Sequence, residues 1–276
     1  MNNIDQSESL VRELEACERN CWIDAYGALI PDLAQKYQID YFKIGEALGT
    51  LAPGIDVLGL NRAMGFGLGD MPDEQTVDHV IAKFLSAGVK RFFFQLDPIA
   101  LNGNLPGILI SKGFRQYNNW VRLYRDIAKP IPEVKTDLRV ERIGAADSMN
   151  FASIVTTEFH WPEQIRPWLA ALVGRRNWCH YMAFDRDMSV ASGAMFIDGE
   201  QAWIGFAATR EDYRNRGAQA ALVARRLEVA SSLGCRRIVV ETAEDTPERN
   251  APSFRNMIRF GFEPAYKRVN FIFQSE

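Results

Sequence analysis

Apolar residues recur at three- and four-residue intervals near the start of the chain, at Leu10, Val11, Leu14, Cys17, Cys21, Ala25, Ala28 and Leu29. That spacing predicts a helix over residues 8–37, which Pro31 breaks or restarts. Two extended, glycine-spaced runs follow, 42–51 and 55–66, and read as antiparallel strands joined by a turn at Ala52-Pro53-Gly54. Met71-Pro72-Asp73-Glu74 places proline and acidic residues in a helical first turn, so a helix is expected from there to Gly88. A strand at 90–95, a short helix at 105–112 and a strand from Gly113-Phe114 to Tyr124 complete this half.

Residues 129–136 are polar and carry Pro130 and Pro132, the composition of a stiff linker. The chain is therefore divided into residues 1–128, a linker at 129–137, and residues 138–276. Beyond the linker the pattern gives a strand at 138–142 and helices at 146–159 and 164–173, separated by Trp161-Pro162. A hairpin joins 179–184 to 190–197 across Asp185-Arg186-Asp187, and Asp198-Gly199-Glu200 turns into a strand at 201–209. A helix with Val223, Leu227 and Ala230 on one face ends near Leu233. A strand at 237–241, a helix opening at Asn250 and a last pair of strands through Phe273 follow. Parts of this order repeat: Gly88 to Gln95 aligns with Gly234 to Glu241 at an offset of 146 residues, and Gly113-Phe114 with Gly261-Phe262 at 148. The near-constant offset implies an internal duplication.

Between the strand ending at Thr209 and the long helix lies Tyr213-Arg214-Asn215-Arg216-Gly217-Ala218-Gln219. A helix N-terminus carries N–H groups without helical partners and the positive end of the helix dipole, so such a turn binds anions. Gly217 permits close backbone approach, while Arg214 and Arg216 add donors suited to phosphate oxygens. No Gly-Lys-Ser/Thr follows, so the prediction is a diphosphate cradle without a metal; the competing reading is a polar helix start with solvated arginines. At the corresponding place in the first half stands Gly69-Asp70-Met71-Pro72, where an aspartate repels a diphosphate. The first half is read as having no such site, with support or shaping of an acceptor cleft as its role.

Two segments, Arg214-Asn215-Arg216-Gly217-Ala218-Gln219 and the run from Asn250 through Ser253 to Gly261-Phe262, resemble the signatures of the GNAT superfamily of acyl-CoA-dependent N-acetyltransferases. Arg214 and Gly217 match the first two fixed positions, and Gln219 stands where a small residue is usual. The resemblance covers about half the chain, from near Leu138 onward. It implies an α/β fold with a mixed sheet, in tandem with a degenerate N-terminal copy, and acetyl-CoA as co-substrate. By the same resemblance Ala208 and Thr209 supply backbone contacts to the pantetheine and an oxyanion donor. Arg214, Asn215, Arg216, Gly217, Ala218 and Gln219 then surround the pyrophosphate, and Asn250 and Ser253 lie near the coenzyme. For Asn250 the residues themselves offer a helix N-cap as an alternative.

Composition narrows the partners. At 276 residues, 47% hydrophobic and 24% charged, the chain has room for one large or two ordinary domains with real cores. A net charge of −3 argues against binding nucleic acid through the overall field. With no basic leader before an apolar run and no apolar stretch of spanning length, the reading is cytoplasmic, with no membrane partner. The four cysteines form no disulfide or metal signature, Cys17 and Cys21 being buried thiols on one helix face, and the three histidines lack metal spacing, so no metal is expected.

Acyl transfer from a thioester to an amine needs a base, a donor to the developing oxyanion and an acid for the thiolate. Glu241, in the acidic run with Glu244 and Asp245 at a strand's C-terminal end, is the candidate base, against a solvated loop or an N-cap. His160, with Glu158 and beside Trp161, is a second candidate on the acceptor side, against simple packing. Where the family commonly has a tyrosine this chain has Met257, so Tyr266 is the substitute acid unless the thiolate leaves to solvent. The function expected is acetyl transfer to the amine of a small molecule or peptide, with a homodimer left open. The alternative is a catalytically silent acyl-CoA-binding module, which Met257 and Gln219 favour. A Fem-type transferase using charged tRNA is disfavoured by the acidic balance and the intact Arg-x-x-Gly.

Overall fold

The computed structural model describes residues 2–275. They divide into two compact units, Met1–Arg122 with Pro264–Glu276, and Leu123–Glu263. By this division the first cut falls before the proline-rich stretch at 129–137, and the last strand of the chain belongs mainly to the first unit.

In the first unit, α1 (Asn2–Gly27) is followed by α2 (Pro31–Tyr37), with Pro31 restarting the helix. Val11, Leu14, Cys17, Cys21 and Ala25 form the buried stripe of α1. The run at 42–51 is two strands, β1 (Asp40–Ile44) and β2 (Ala47–Leu51), because Gly45 takes a left-handed φ of 56° in mid-run and turns the chain back. Only β3 (Arg62–Met64) forms within 55–66. The rest wraps the Asn61 side chain, which accepts from Ala52 N at 2.7 Å and donates to Ile55 O at 2.9 Å. Next, α3 (Glu74–Ser86) starts later than its proline suggested: Asp73 is the N-cap and accepts from Thr76 N at 2.8 Å, leaving Pro72 outside the first turn. Then come β4 (Arg91–Leu96), a short α4 (Pro98–Leu101), α5 (Leu105–Ser111) and β5 (Arg115–Asp126), which passes out of the unit after Arg122.

The second unit adds β6 (Arg139–Arg142), α6 (Ser148–Glu158), α7 (Arg166–Ala171), β7 (Trp178–Asp185), β8 (Met188–Asp198) and β9 (Gln201–Thr209). It continues with α8 (Ala218–Ser232), β10 (Arg237–Ala243) and α9 (Pro252–Arg259). The chain closes on one long strand, β11 (Glu263–Gln274), where a pair was expected, since nothing between Pro264 and Gln274 makes a turn.

The first unit's sheet runs β1-β2-β3-β4-β11, with β5 alongside β11. In it β3 is parallel to β4, and β11 antiparallel to β4. In the second unit the order is β6-β7-β8-β9-β10, with β9 parallel to β10. Each unit therefore shows antiparallel strands, then a helix (α3 or α8), then a parallel strand (β4 or β10). Gly88 and Gly234 follow α3 and α8 with φ of 84° and 79°, and Gly113 and Gly261 follow α5 and α9 with 89° and 76°. The aligned residues of the two halves thus occupy matching places, as a duplication requires.

Phe66, Phe84, Phe92, Phe94, Phe114 and Phe271 pack in the first core, Phe84 stacked on Phe92 with centroids 4.1 Å apart. Each such buried ring contributes about 1.5–3 kcal/mol. By strand alternation Gln95 points away from that core, into a buried set of charges. There Glu15 accepts two bonds from Arg268 at 2.6 and 2.7 Å, and Glu18 meets Arg122, Arg268 and Arg62. These arginines hold the Glu18 carboxyl well below the usual carboxylate range against the opposing effect of burial.

Candidate functional site

The turn predicted to bind an anion is built from backbone conformation. After Thr209 the chain makes a single turn at Glu211–Tyr213, and Asn215 and Gly217 then take left-handed φ of 64° and 79°. Gly217 is the N-cap of α8, and no side chain caps the helix there. The first N–H groups of α8 are left for another acceptor, which suits an anion. Gly217 serves packing as well: a Cβ there would lie 2.9 Å from Lys135 O and 3.1 Å from Thr136 Cβ. Thr136 Oγ1 donates to Arg216 O at 2.7 Å, so the proline-rich stretch braces the turn.

The two arginines have carboxylate partners of their own. Arg216 bridges Asp137 at 2.5 Å and Asp185 at 2.8 Å and lies over the Tyr213 ring. Arg214 pairs with Glu158 at 2.9 Å and sits 3.8 Å from Glu211. Both neutralise carboxylates in this structure, Arg214 with its side chain 53% exposed. Gln219 does not face an anion with its amide N–H groups either. Its Nε2 donates to Ala208 O at 2.8 Å and Thr209 Oγ1 at 2.9 Å, stapling the start of α8 to the end of β9.

That end of β9 is irregular. Ala194 pairs with Gly205 and Ser192 with Ala208, so Phe206 and Ala207 stand opposite the single residue Gly193, forming a bulge. Phe206 takes φ 49°, and its carbonyl accepts from Ser192 Oγ at 3.0 Å. The β9–β10 register joins only Gln201–Trp203 to Arg237–Val239, so the later halves of these parallel strands part. The sequence signal for the bulge was Gly205 inside an apolar strand, where a Cβ would lie 1.9 Å from the Trp203 ring. Below Gly193 the buried Arg226 of α8 donates to Ala194 O, with burial lowering its pKa to about 10.

Glu241, half-buried, lies in the parted half of β10. Asp245 in the following loop accepts from Ala251 N at 2.7 Å and pairs with Arg255 at 3.3 Å. Asn250 is therefore not the cap of α9: Ala251 holds that position and Asp245 serves its N–H. Asp245, Thr246, Pro247, Asn250 and Arg255 line an open cavity of about 560 Å³, and Ser253 is exposed on the first turn of α9. His160 is exposed in the turn after α6, at φ 53°. Tyr266 belongs to the first unit, where its hydroxyl donates to Glu15 at 2.6 Å. Burial and the Glu15 carboxylate push that hydroxyl well above its ordinary pKa, which makes it a poor proton donor.

An aromatic chain runs through this unit. Phe159 meets Trp161 at 5.4 Å, Trp161 meets Phe206 at 6.4 Å, and Trp178 stacks on Phe206 and on His180. Trp168 and Trp178 are buried core, whereas Trp161 is half-buried. His180 is enclosed between Trp178 and Phe151, and burial pushes its pKa down to about 3.

Residues 149–262 match the acetyltransferase (GNAT) family. This stretch is a GNAT acetyltransferase domain. The match runs from the start of α6 through the bulge, the uncapped α8 and α9 to Gly261-Phe262, and stops short of Tyr266. Solved structures extend the likeness in fold beyond the GNAT domain. A GCN5-related N-acetyltransferase from Kribbella flavida is 17% identical at a TM-score of 0.59, over 91% of this chain and 96% of that one. One from Sphaerobacter thermophilus is 16% identical at 0.60, over 83% and 80%. A tandem GNAT protein from the clavulanic acid biosynthesis pathway is 12% identical at 0.55, over 99% and 96%. The chain thus has a mixed α/β GNAT fold, with a tandem GNAT structure matching its whole length. No curated protein matches the chain. Among the described residues no helix is long and apolar enough to cross a membrane, and no cluster of side chains could hold a metal.

Proposed function

We propose that the protein is an acetyl-CoA-dependent N-acetyltransferase acting on the amine of a small molecule or peptide. The observation that carries this reading is the uncapped N-terminus of α8 beside the bulged, parted end of β9. The coenzyme supplies an acyl thioester. The N–H groups of Ala218 and Gln219 hold its diphosphate, and the backbone of Phe206 to Ala208 lies along its pantetheine arm. The amine lone pair forms the C–N bond, the C–S bond breaks, and sulfur leaves with the electron pair. Glu241, directly or through water, takes the proton released by nitrogen. The thiolate departs to solvent, because Met257 is apolar and buried and Tyr266 is held by Glu15. Calorimetric titration with acetyl-CoA tests the site: Gly217→Trp abolishes binding, and unchanged affinity overturns the assignment. Glu241→Gln lowers turnover by about 10²-fold with coenzyme affinity intact; equal activity removes Glu241 from the reaction.

Met257 also supports a second reading, a binding module without transfer. It predicts tight acetyl-CoA binding and no thiol release with any amine.

A further inference from the structure

Glu158 ends α6, where a carboxylate meets the negative end of the helix dipole and no basic residue in the last turn offsets it. Its side chain is only 13% exposed, whereas Arg214, its partner at 2.9 Å, is 53% exposed. A mostly buried anion is thus neutralised by a long, solvent-facing cation from the turn that enters α8. Aromatic rings follow Glu158 directly: exposed Phe159, half-buried Trp161, and Phe206 of the bulge behind it. Carboxylate and ring faces together make a receptor for an organic cation. The nearby Arg166 cannot replace Arg214, being held by Thr156 Oγ1 at 2.9 Å and Glu163 at 2.8 Å.

We propose that Arg214 stands in for the acceptor: the substrate is an amine that arrives as a cation, takes the place of Arg214 on Glu158 beside Trp161 once the guanidinium turns to the coenzyme's diphosphate, and passes one proton to water before its lone pair attacks. This rests on the acetyl-CoA reading above. A mostly buried carboxylate stripped of its cation is costly, so the two ligands favour each other, and a neutral acceptor leaves Glu158 unpaired. Glu158 thereby sets specificity for charge and couples the two binding events.

The test titrates coenzyme A into wild type, Glu158→Gln, Arg214→Ala and the double variant. Glu158→Gln is expected to tighten binding by about tenfold, since Arg214 no longer has to leave a carboxylate, and Arg214→Ala to weaken it. In the double variant the gain from Glu158→Gln disappears, which is the signature of a direct exchange. With coenzyme A saturating, tryptophan fluorescence then compares phenethylamine, butylamine and putrescine with the matching alcohols. At least one amine is expected to bind about tenfold tighter than its alcohol, with the preference lost in Glu158→Gln. Equal coenzyme affinity in wild type and Glu158→Gln, or equal binding of amines and alcohols, overturns the proposal. Failure of wild type to bind coenzyme A overturns the acetyl-CoA reading along with it, so the two failures are distinguishable.

Discussion

The turn entering α3 and the turn entering α8 occupy the same place in the two halves and treat negative charge in opposite ways. At α3 the donors are taken by the protein's own carboxylates. Asp73 caps the helix through Thr76 N, and buried Asp97, which caps α4, also accepts from Gly67 N at 2.9 Å in the turn before α3. Gly67 has no room for a side chain, since a Cβ would lie 2.3 Å from Asp97 Oδ1. At α8 the cap is a glycine and the helix donors have no side-chain acceptor. A duplicated turn can thus lose an anion site by acquiring internal anions, with the surrounding fold retained. The sequence pointed to Asp70 as the repelling charge; that residue is exposed in the same turn, and Asp73 and Asp97 add carboxylates that take up backbone donors there.

The comparison extends to buried ionisable groups, and three substitutions test it. The largest effect is expected in the first unit, where charges are paired. Glu18→Ala strips Arg122, Arg268 and Arg62 of a shared carboxylate and should cost about 3–5 kcal/mol in urea unfolding. A cost below about 1 kcal/mol would show that the cluster reorganises freely. In the second unit one buried group is a neutral imidazole with no hydrogen-bond partner among the described residues. His180 has a folded pKa of about 3, so between the usual 6.5 and that value only the unfolded chain takes up its proton. Its contribution is complete above pH 6.5 and declines by about 1.4 kcal/mol per unit as pH falls toward 3. His180→Phe should flatten that acid limb, and unfolding curves at pH 7 and pH 4.5 that shift equally in both proteins would contradict it. The smallest effect belongs to the closed turn itself. Asp73→Ala removes the α3 cap at about 1 kcal/mol. It should not create a second coenzyme site, because Asp97 still fills the loop; two acetyl-CoA molecules per chain in calorimetry would refute this.

Local pattern carried most of the second half, because its strands are largely apolar runs bounded by turns that carry the left-handed Gly199 and Gly217. The four left-handed glycines behind the duplication were equally visible. Hidden from local pattern were contacts with distant partners. Arg214 meets Glu158 across 56 residues, and Arg216 meets Asp185 and Asp137 across 31 and 79, so the carboxylate partners of both arginines lay far outside the motif. The first half was harder to read, since Gly45 divides an apolar run and a buried amide, Asn61, organises a loop that has strand-like composition.

The placement of β11 has a consequence in time. Gln95 on β4 bonds to Asn270 on β11, a partner 175 residues later in the chain. A ribosome adding about 5–20 residues per second needs roughly 7–28 seconds to pass from the end of the first segment to the start of β11. Throughout that interval the phenylalanine-rich β4 has no strand on that side. The sheet of the half that is made first therefore cannot be completed until the end of the chain has been made. A stop codon before residue 264 would damage the beginning of the protein more than its end.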